Sequence, residues 1–569
     1  MSKQLAKFED WPFKKPNIKA IVAEVNKRAD AFLAAKTKEE AYKAYLAFNK
    51  TMDKFSDQMM HCSLLFTLDT RVPEYQEAMQ IIDEGTPIVQ VAIQRFTKAM
   101  MESEFRPYLE EKLGPLYFQM QDYALRSFNE SVQDEAMKEN ILVSKYGQVM
   151  ASFMIPFRGE TYNVSQMGAF LSADDRETRE EAAKAFYGYL EEHAGELEDI
   201  YDELVKVRTE MAKKLGFSSY TELGYLRMGR YDYDPELVKG YRDAIAESVT
   251  PIAARLVRDQ VKRIGIKNPQ FFDLALEFAD GNPRPIGTTE EKVEKAKKMY
   301  DELSPETSFF FRFMDEHHLL FLDAKPGKQG GGYMEYFPVH QCPIIFSNFN
   351  GTSHDVDVLT HEFGHSFQAY CGRSIKIPEY RCATMEGAEI DSMSMEFFAE
   401  PWMHLFFDRP DRYRYSHLSD SICFLPYGVT VDEFQHWVYA HPEASKEERN
   451  AAWLEIEKKF TPWKEKYQKK CPFLREGRRW LLQGHIFQSP FYYIDYTLAQ
   501  VIAFQFLLLD RKNHERAWKK YIKLCKLGGR YPFRTLLAKV GLKDPFLPGT
   551  LQKTVKPLVK ILKSYDLEA

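Results

Sequence analysis

The sequence offers little that would send the chain to a membrane, a nucleic acid or an oxidising compartment. No apolar run is long enough to span a bilayer. The nearest, "YTLAQVIAFQFLLLD" at 496–510, is short and carries Gln500 and Gln505, so it reads as a buried core helix. The first residues, "MSKQLAKFEDWPFKK", hold no apolar stretch of the secretory kind. An excess of one charge is lacking as well: 77 Lys and Arg face 83 Asp and Glu, a net charge of -6, with a pI near 6.2. That balance gives no long-range pull toward nucleic acid or anionic lipid. Cysteine is scarce, seven in 569 residues, odd in number and never in a CxxC pair. This argues against a cysteine-based zinc site and, with no secretory signal, for reduced thiols and a cytoplasmic setting.

What is present fits a large soluble protein of more than one lobe: 44% hydrophobic and 28% charged residues over a length well beyond one average domain. Aromatics reach 14%, with 42 Phe and 32 Tyr, suited to packed helices or an aromatic-lined cavity. The first 270 or so residues read as almost wholly helical. In "DPELVKGYRDAIAESVTPIAARLVRDQVKR" (234–263), Asp234 is an N-cap, Pro235 fits the first helical position, and Leu237, Tyr241, Ala244 and Ile245 follow the helical period. Segments 38–60 and 178–215 have the same character, and "FADGNPRPIGTTEE" (278–291) is a loop between lobes. At 325–355 the pattern turns β-prone, with "YMEYF" and "CPIIFSNF" predicting a small hairpin or sheet, and helix resumes at Asp355. The expected architecture is mainly α, with an N-terminal helical lobe over 1–160 and a catalytic region over 161–569.

The chemistry starts in "DVLTHEFGHSF" (357–367). On a helix, residues four apart lie about 40° apart in azimuth, so His361 and His365 face the same way and can both reach one Zn²⁺. Glu362 lies about 100° round from His361, beside a metal instead of on it, where a carboxylate acts as general base. The plainer reading is two satisfied histidines in a buried helix, and a third ligand separates the two. A third histidine in the HExxHxxGxxH frame fails, since Gln368 and Cys371 stand where Gly and His belong. The alternative is a glutamate from a second helix in "TMEGAEIDSMSMEFFAE" (384–400). There Glu389, Ser392, Met393 and Glu396 share one face, and Glu386 and Glu396 compete with Glu389 for the role.

Metal-bound imidazoles commonly donate their other N–H to an acceptor. Asp357, four residues before His361, is placed to orient that ring, or simply to sit near a helix start where the dipole favours it. Ser392 or Glu396 is placed to serve the other ring. Peptide hydrolysis also needs donors at the developing oxyanion. His485, Tyr492, Tyr493 and Tyr496 in "GHIFQSPFYYIDYTLAQ" (484–500) are candidates, with an aromatic core stripe as the plainer reading.

Together these residues resemble the thimet oligopeptidase / oligoendopeptidase F family of zinc metallopeptidases, nearest the oligoendopeptidase F and Pz-peptidase branch. The likeness runs through "GYLRMGRYDYD" (224–234), "GGGY" (330–333), "PIIFSNFNGTSHDVDVLTHEFGHSF" (343–367), "TMEGAEIDSMSMEF" (384–397) and "HIFQSPFYYIDY" (485–496). It implies His361, His365 and Glu389 as ligands of one Zn²⁺ per chain, Glu362 as the base, Asp357, Ser392 and Glu396 as supporting residues, and oxyanion donors within 485–496. The tyrosine spacing after His485 departs from the thimet branch, leaving Tyr492, Tyr493 and Tyr496 as alternatives. The resemblance also implies two helical lobes around a deep channel, with zinc on its floor and a small sheet beside the HExxH helix. Such a site admits short unstructured peptides, and the β strands offer β-augmentation for a substrate backbone. The expected activity is zinc-dependent oligoendopeptidase. The rivals are a peptidyl-dipeptidase-type exopeptidase, which needs a clamp for a terminal carboxylate, and a non-catalytic helical peptide-binding protein.

Overall fold

The computed structural model describes residues 5–568. Helices form where the caps and apolar periods put them. Asp175 caps Arg176–Lys214, Thr37 caps Lys38–Leu68, and Asp234 caps Pro235–Ser248, each accepting a backbone N–H through its side chain. The stretch 234–263, read as helical, holds two helices, Pro235–Ser248 and Thr250–Ile264, joined at Val249. Pro251 has no N–H to continue the ladder, so it opens a new helix instead of extending the old one. The fold is mainly α, 71% helical.

The strands are few. A hairpin of β1 (Ile155–Phe157) and β2 (Glu160–Tyr162) interrupts the region read as helical. The sheet that matters has three strands, β3 (Leu320–Asp323), β4 (Tyr333–Phe337) and β5 (Cys342–Phe349), in the order β3-β5-β4. β4 and β5 are the predicted β segment and pair antiparallel, Tyr333 opposite Phe346 and Phe337 opposite Cys342. β3 pairs parallel to β5; it was not expected, because four residues are too short to show a period. β5 lies in the middle and is nearly all buried, whereas β4 has a strand on one side alone among the described residues.

A short turn carries the chain from β5 into the helix His354–Gly372, called here the motif helix. Asp355 closes that turn by accepting from the backbone N–H of Asn350 (2.8 Å) and Gly351 (3.1 Å) and from the buried ammonium of Lys292 (2.7 Å). The return helix, Met385–Ala399, is capped by Thr384 and packs on the motif helix. A third helix, Tyr493–Asp510, packs on the return helix; it is the apolar stretch read as a core helix, and it is buried through most of its length. Among the described residues no helix is long and apolar enough to cross a membrane. One large apolar core unites these elements, while a second, mostly from residues between 25 and 118, belongs to the N-terminal helices.

Candidate active site

The motif helix and the return helix cross unusually closely, and Gly364 is the reason. A Cβ there would lie 2.6 Å from the backbone of Asp391 and Ser392, a distance that side chains do not tolerate. With hydrogen in that place, the imidazoles of His361 and His365 come up against Glu389. Glu389 Oε2 stands 3.3 Å from His361 Nε2 and 3.5 Å from His365 Nε2. Among the described residues this is the one cluster whose donor atoms, all within 4.8 Å of one another, converge as a metal site would require. Glu386, the other acid in that turn, is turned away to Arg230 (2.9 Å) and Tyr233.

Burial alone would raise Glu389, but the imidazoles of His365 and His361 outweigh it and hold the carboxyl well below its usual range. Glu362 is buried beside them, and burial pushes its carboxyl up. Its Oε2 has no hydrogen-bond partner. The third glycine of the "GGG" run, Gly332, leaves room for it: a Cβ there would sit 2.9 Å from Val358 and 3.4 Å from Glu362 Oε1.

Glu396 accepts from His361 Nδ1 at 2.7 Å and from His417 Nε2 at 2.7 Å. Burial would raise it, yet the two imidazole hydrogen bonds bring its carboxyl down to about 2. Asp357 does not reach His361, as its place on the helix had suggested. Its carboxylate takes the phenol of Tyr413, and Glu396 has the orienting position instead. Nor does Ser392 meet the other ring: its hydroxyl donates to the backbone oxygen (3.0 Å) and to Oε2 (3.1 Å) of Glu389. His417 and Tyr413 lie on the long helix Pro410–Ala440 and were missed, because their contacts depend on how helices cross.

The tyrosines separate by their partners. Tyr492 donates its phenol proton to Glu389 Oε1. Tyr496 meets His485, with Nε2 and the phenol oxygen 3.0 Å apart. Tyr493 points into the interior against Phe424 and Tyr427, with its ring centre 5.1 Å from that of His485. Burial pushes the His485 imidazole down to about 4, so it is neutral near pH 7. The turn before Tyr492 passes through Phe491 in the left-handed region, φ 69°. Arg230 holds that turn by donating to Phe491 O (2.9 Å), and Gln435 by accepting from Phe491 N (2.8 Å).

Residues 169–555 match peptidase family M3, and residues 8–128 match the M3 N-terminal domain. The chain belongs to peptidase family M3. It is a metallopeptidase, and its similarity to solved structures is end to end. A Pz peptidase A with an inhibitor is 42% identical with a TM-score of 0.96, covering 98% of this chain and 100% of that one. A protein assigned as oligoendopeptidase F is 41% identical with a TM-score of 0.97, covering 99% of each chain. Another so assigned, from Bacillus anthracis, is 42% identical with a TM-score of 0.92, again over 99% of each chain. Comparison with curated proteins gives no match.

The M3 family works with a metal, and the donor set here fits one. Two imidazoles and a carboxylate suit Zn²⁺, and the buried Oε2 of Glu362, next to His361 in the chain, has no hydrogen-bond partner. The buried carboxylates around His361 call for positive charge in their midst.

Proposed function

We propose that the protein is a zinc-dependent oligoendopeptidase that cuts internal bonds of short unstructured peptides, with one Zn²⁺ per chain held by His361, His365 and Glu389. The observation that carries this reading is the convergence of those three donors beside a buried carboxylate with a free oxygen. When bound, the metal supplies Lewis-acid polarisation of the scissile carbonyl and a more acidic attacking water. Glu362 takes that water's proton at Oε2 and passes it to the leaving amine. Tyr496, bonded to His485, places its O–H at the oxygen that becomes negative, and Tyr492 keeps Glu389 in place. Glu396 fixes the ring of His361 from behind, with His417 fixing Glu396 in turn.

Internal cleavage is the reading taken over release of dipeptides, and two cations that could have clamped a carboxylate are already engaged. Lys328 spends its ammonium on the carbonyls of Phe321, Asp323 and Ser347, and Arg381 is paired with Asp53 at 2.9 Å. Neither is offered to a substrate's terminal carboxylate. The relatives described as Pz peptidase and oligoendopeptidase F support the same choice. A division into an N-terminal lobe (1–160) and a catalytic region (161–569) is part of this reading, and so is a cytoplasmic setting, which the seven unpaired cysteines suit. The test is digestion of a mixed peptide library, with mass-spectrometric readout, alongside a C-terminally amidated peptide. Internal cuts in the amidated peptide are expected; an enzyme that leaves it whole and trims only free C-termini sinks the endopeptidase assignment.

A further inference from the structure

His485 has a neighbour on each ring nitrogen: Gln483 Nε2 at 2.9 Å from Nδ1, and the Tyr496 phenol at 3.0 Å from Nε2. A neutral imidazole carries one proton, and where it sits decides what Tyr496 can do. With the proton on Nε2, the ring donates to the phenol oxygen and leaves the Tyr496 O–H free to point at a substrate. With the proton on Nδ1, Nε2 must accept the phenol's proton, and nothing is left for an oxyanion.

The choice is made outside the site. Gln483 Oε1 accepts from the phenol of Tyr427 at 2.9 Å. An amide that accepts at its oxygen presents N–H groups at its other end, and that end faces His485 Nδ1. Tyr427 is itself held as a donor. The Arg479 guanidinium lies 5.6 Å from the Tyr427 ring centre, and the Lys464 ammonium sits 4.7 Å over the ring. Both cations carry N–H groups alone and cannot take the phenol's proton, which goes to the Gln483 carbonyl. The hydrogen bonds therefore run one way, from Tyr427 through Gln483 and His485 to Tyr496.

We propose that Gln483 is a positioning residue: oriented by Tyr427, it fixes the Nε2–H form of His485 and so frees the Tyr496 O–H for the substrate's carbonyl oxygen. The last step rests on the peptidase reading above; the tautomer does not.

Nitrogen-15 NMR of the full zinc-loaded chain labelled at histidine, with His485 assigned from His485→Gln, is the direct test. The expected result is a bare Nδ1 and a protonated Nε2. A proton on Nδ1 in the wild-type chain overturns the proposal whether or not the enzyme cleaves peptides. Gln483→Glu is the kinetic counterpart, because a carboxylate has no donor and draws the imidazole proton onto Nδ1. Its kcat should fall about 100-fold, the loss seen when one oxyanion donor is removed, with KM and zinc content little changed. Wild-type kcat in that variant overturns the proposal too. Tyr427→Phe, which leaves His485 and Tyr496 untouched, should lose up to about tenfold and show a mixture of tautomers.

Discussion

The two sides of the site are built by different means. On the metal side, His361 and Glu396 are 35 positions apart, and two helices crossing over Gly364 bring every donor together. On the donor side, His485 and Tyr496 are only 11 apart, yet their placement depends on residues from far away. Arg208, 278 positions from Ile486, grips the backbone just after His485, and Arg230, 261 positions from Phe491, pins the left-handed turn before Tyr492. Helical period sets the first arrangement; long-range buried arginines set the second. A metal tolerates ligands from any two rigid helices, whereas an oxyanion donor has to be aimed, and aiming requires a backbone held from several sides.

Predictions can break this contrast or sharpen it. The largest effect should come from a chelator: turnover disappears and returns with added zinc, while far-UV circular dichroism stays unchanged, because the main core and the buried arginine contacts hold the two helices without the metal. Unfolding on chelation would mean that the metal side supports the donor side. Next, Glu362→Gln should lower kcat about 1,000-fold or more with zinc still bound, by turnover assay and metal analysis. Wild-type-like turnover would remove Glu362 from the base role.

Smaller effects should split the two sides. Tyr496→Phe should cost about 100-fold in kcat with zinc affinity intact, whereas Glu396→Gln should weaken zinc binding by about 10–100-fold, measured by competition with a chromophoric chelator. If Tyr496→Phe released zinc, the sides would be one unit. A separate effect, read in stability and least in turnover, should come from Glu139, which anchors Arg208 at 2.6 Å. Burial opposes its charge, but Arg227 and Arg208 outweigh that and hold its carboxyl down to about 2. A carboxyl held below its unfolded value stabilises the fold fully above about pH 4.3 and loses that contribution as pH falls toward 2. Glu139→Gln should therefore cost about 3–5 kcal/mol at pH 7, with the gap to wild type closing in acid, as read by denaturant unfolding.

The same contrast explains what the sequence could reveal. Two histidines four apart and a neighbouring glutamate are read from helical period alone. Spacing left Glu386, Glu389 and Glu396 open; the structure turns one to Arg230, one to the imidazoles and one behind His361. Asp357 was read as facing His361 because both lie on one helical face, but Tyr413, from another helix, takes its carboxylate. Tyr492 and Tyr496 share a face as their spacing suggests, with ring centres 5.1 Å apart. Their division of labour was hidden, since it depends on Gln483 and Glu389. Gly364 carried a signal that went unread: a glycine inside a helix costs stability unless something must come close. Mainly helical character and the β4–β5 segment were legible from period and composition. The parallel β3, the β1–β2 hairpin and the break at Pro251 needed tertiary partners or closer attention to one residue.

The outer rim of β4, with no strand beside it among the described residues, would set terms for a segment laid along it. Ladder pairing there needs a neighbour drawn out straight, and main-chain atoms are alike in every residue. A binder held this way is chosen for its outline before its lettering. Tolerance of many amino-acid orders and rejection of a pre-coiled chain would then be one property, not two.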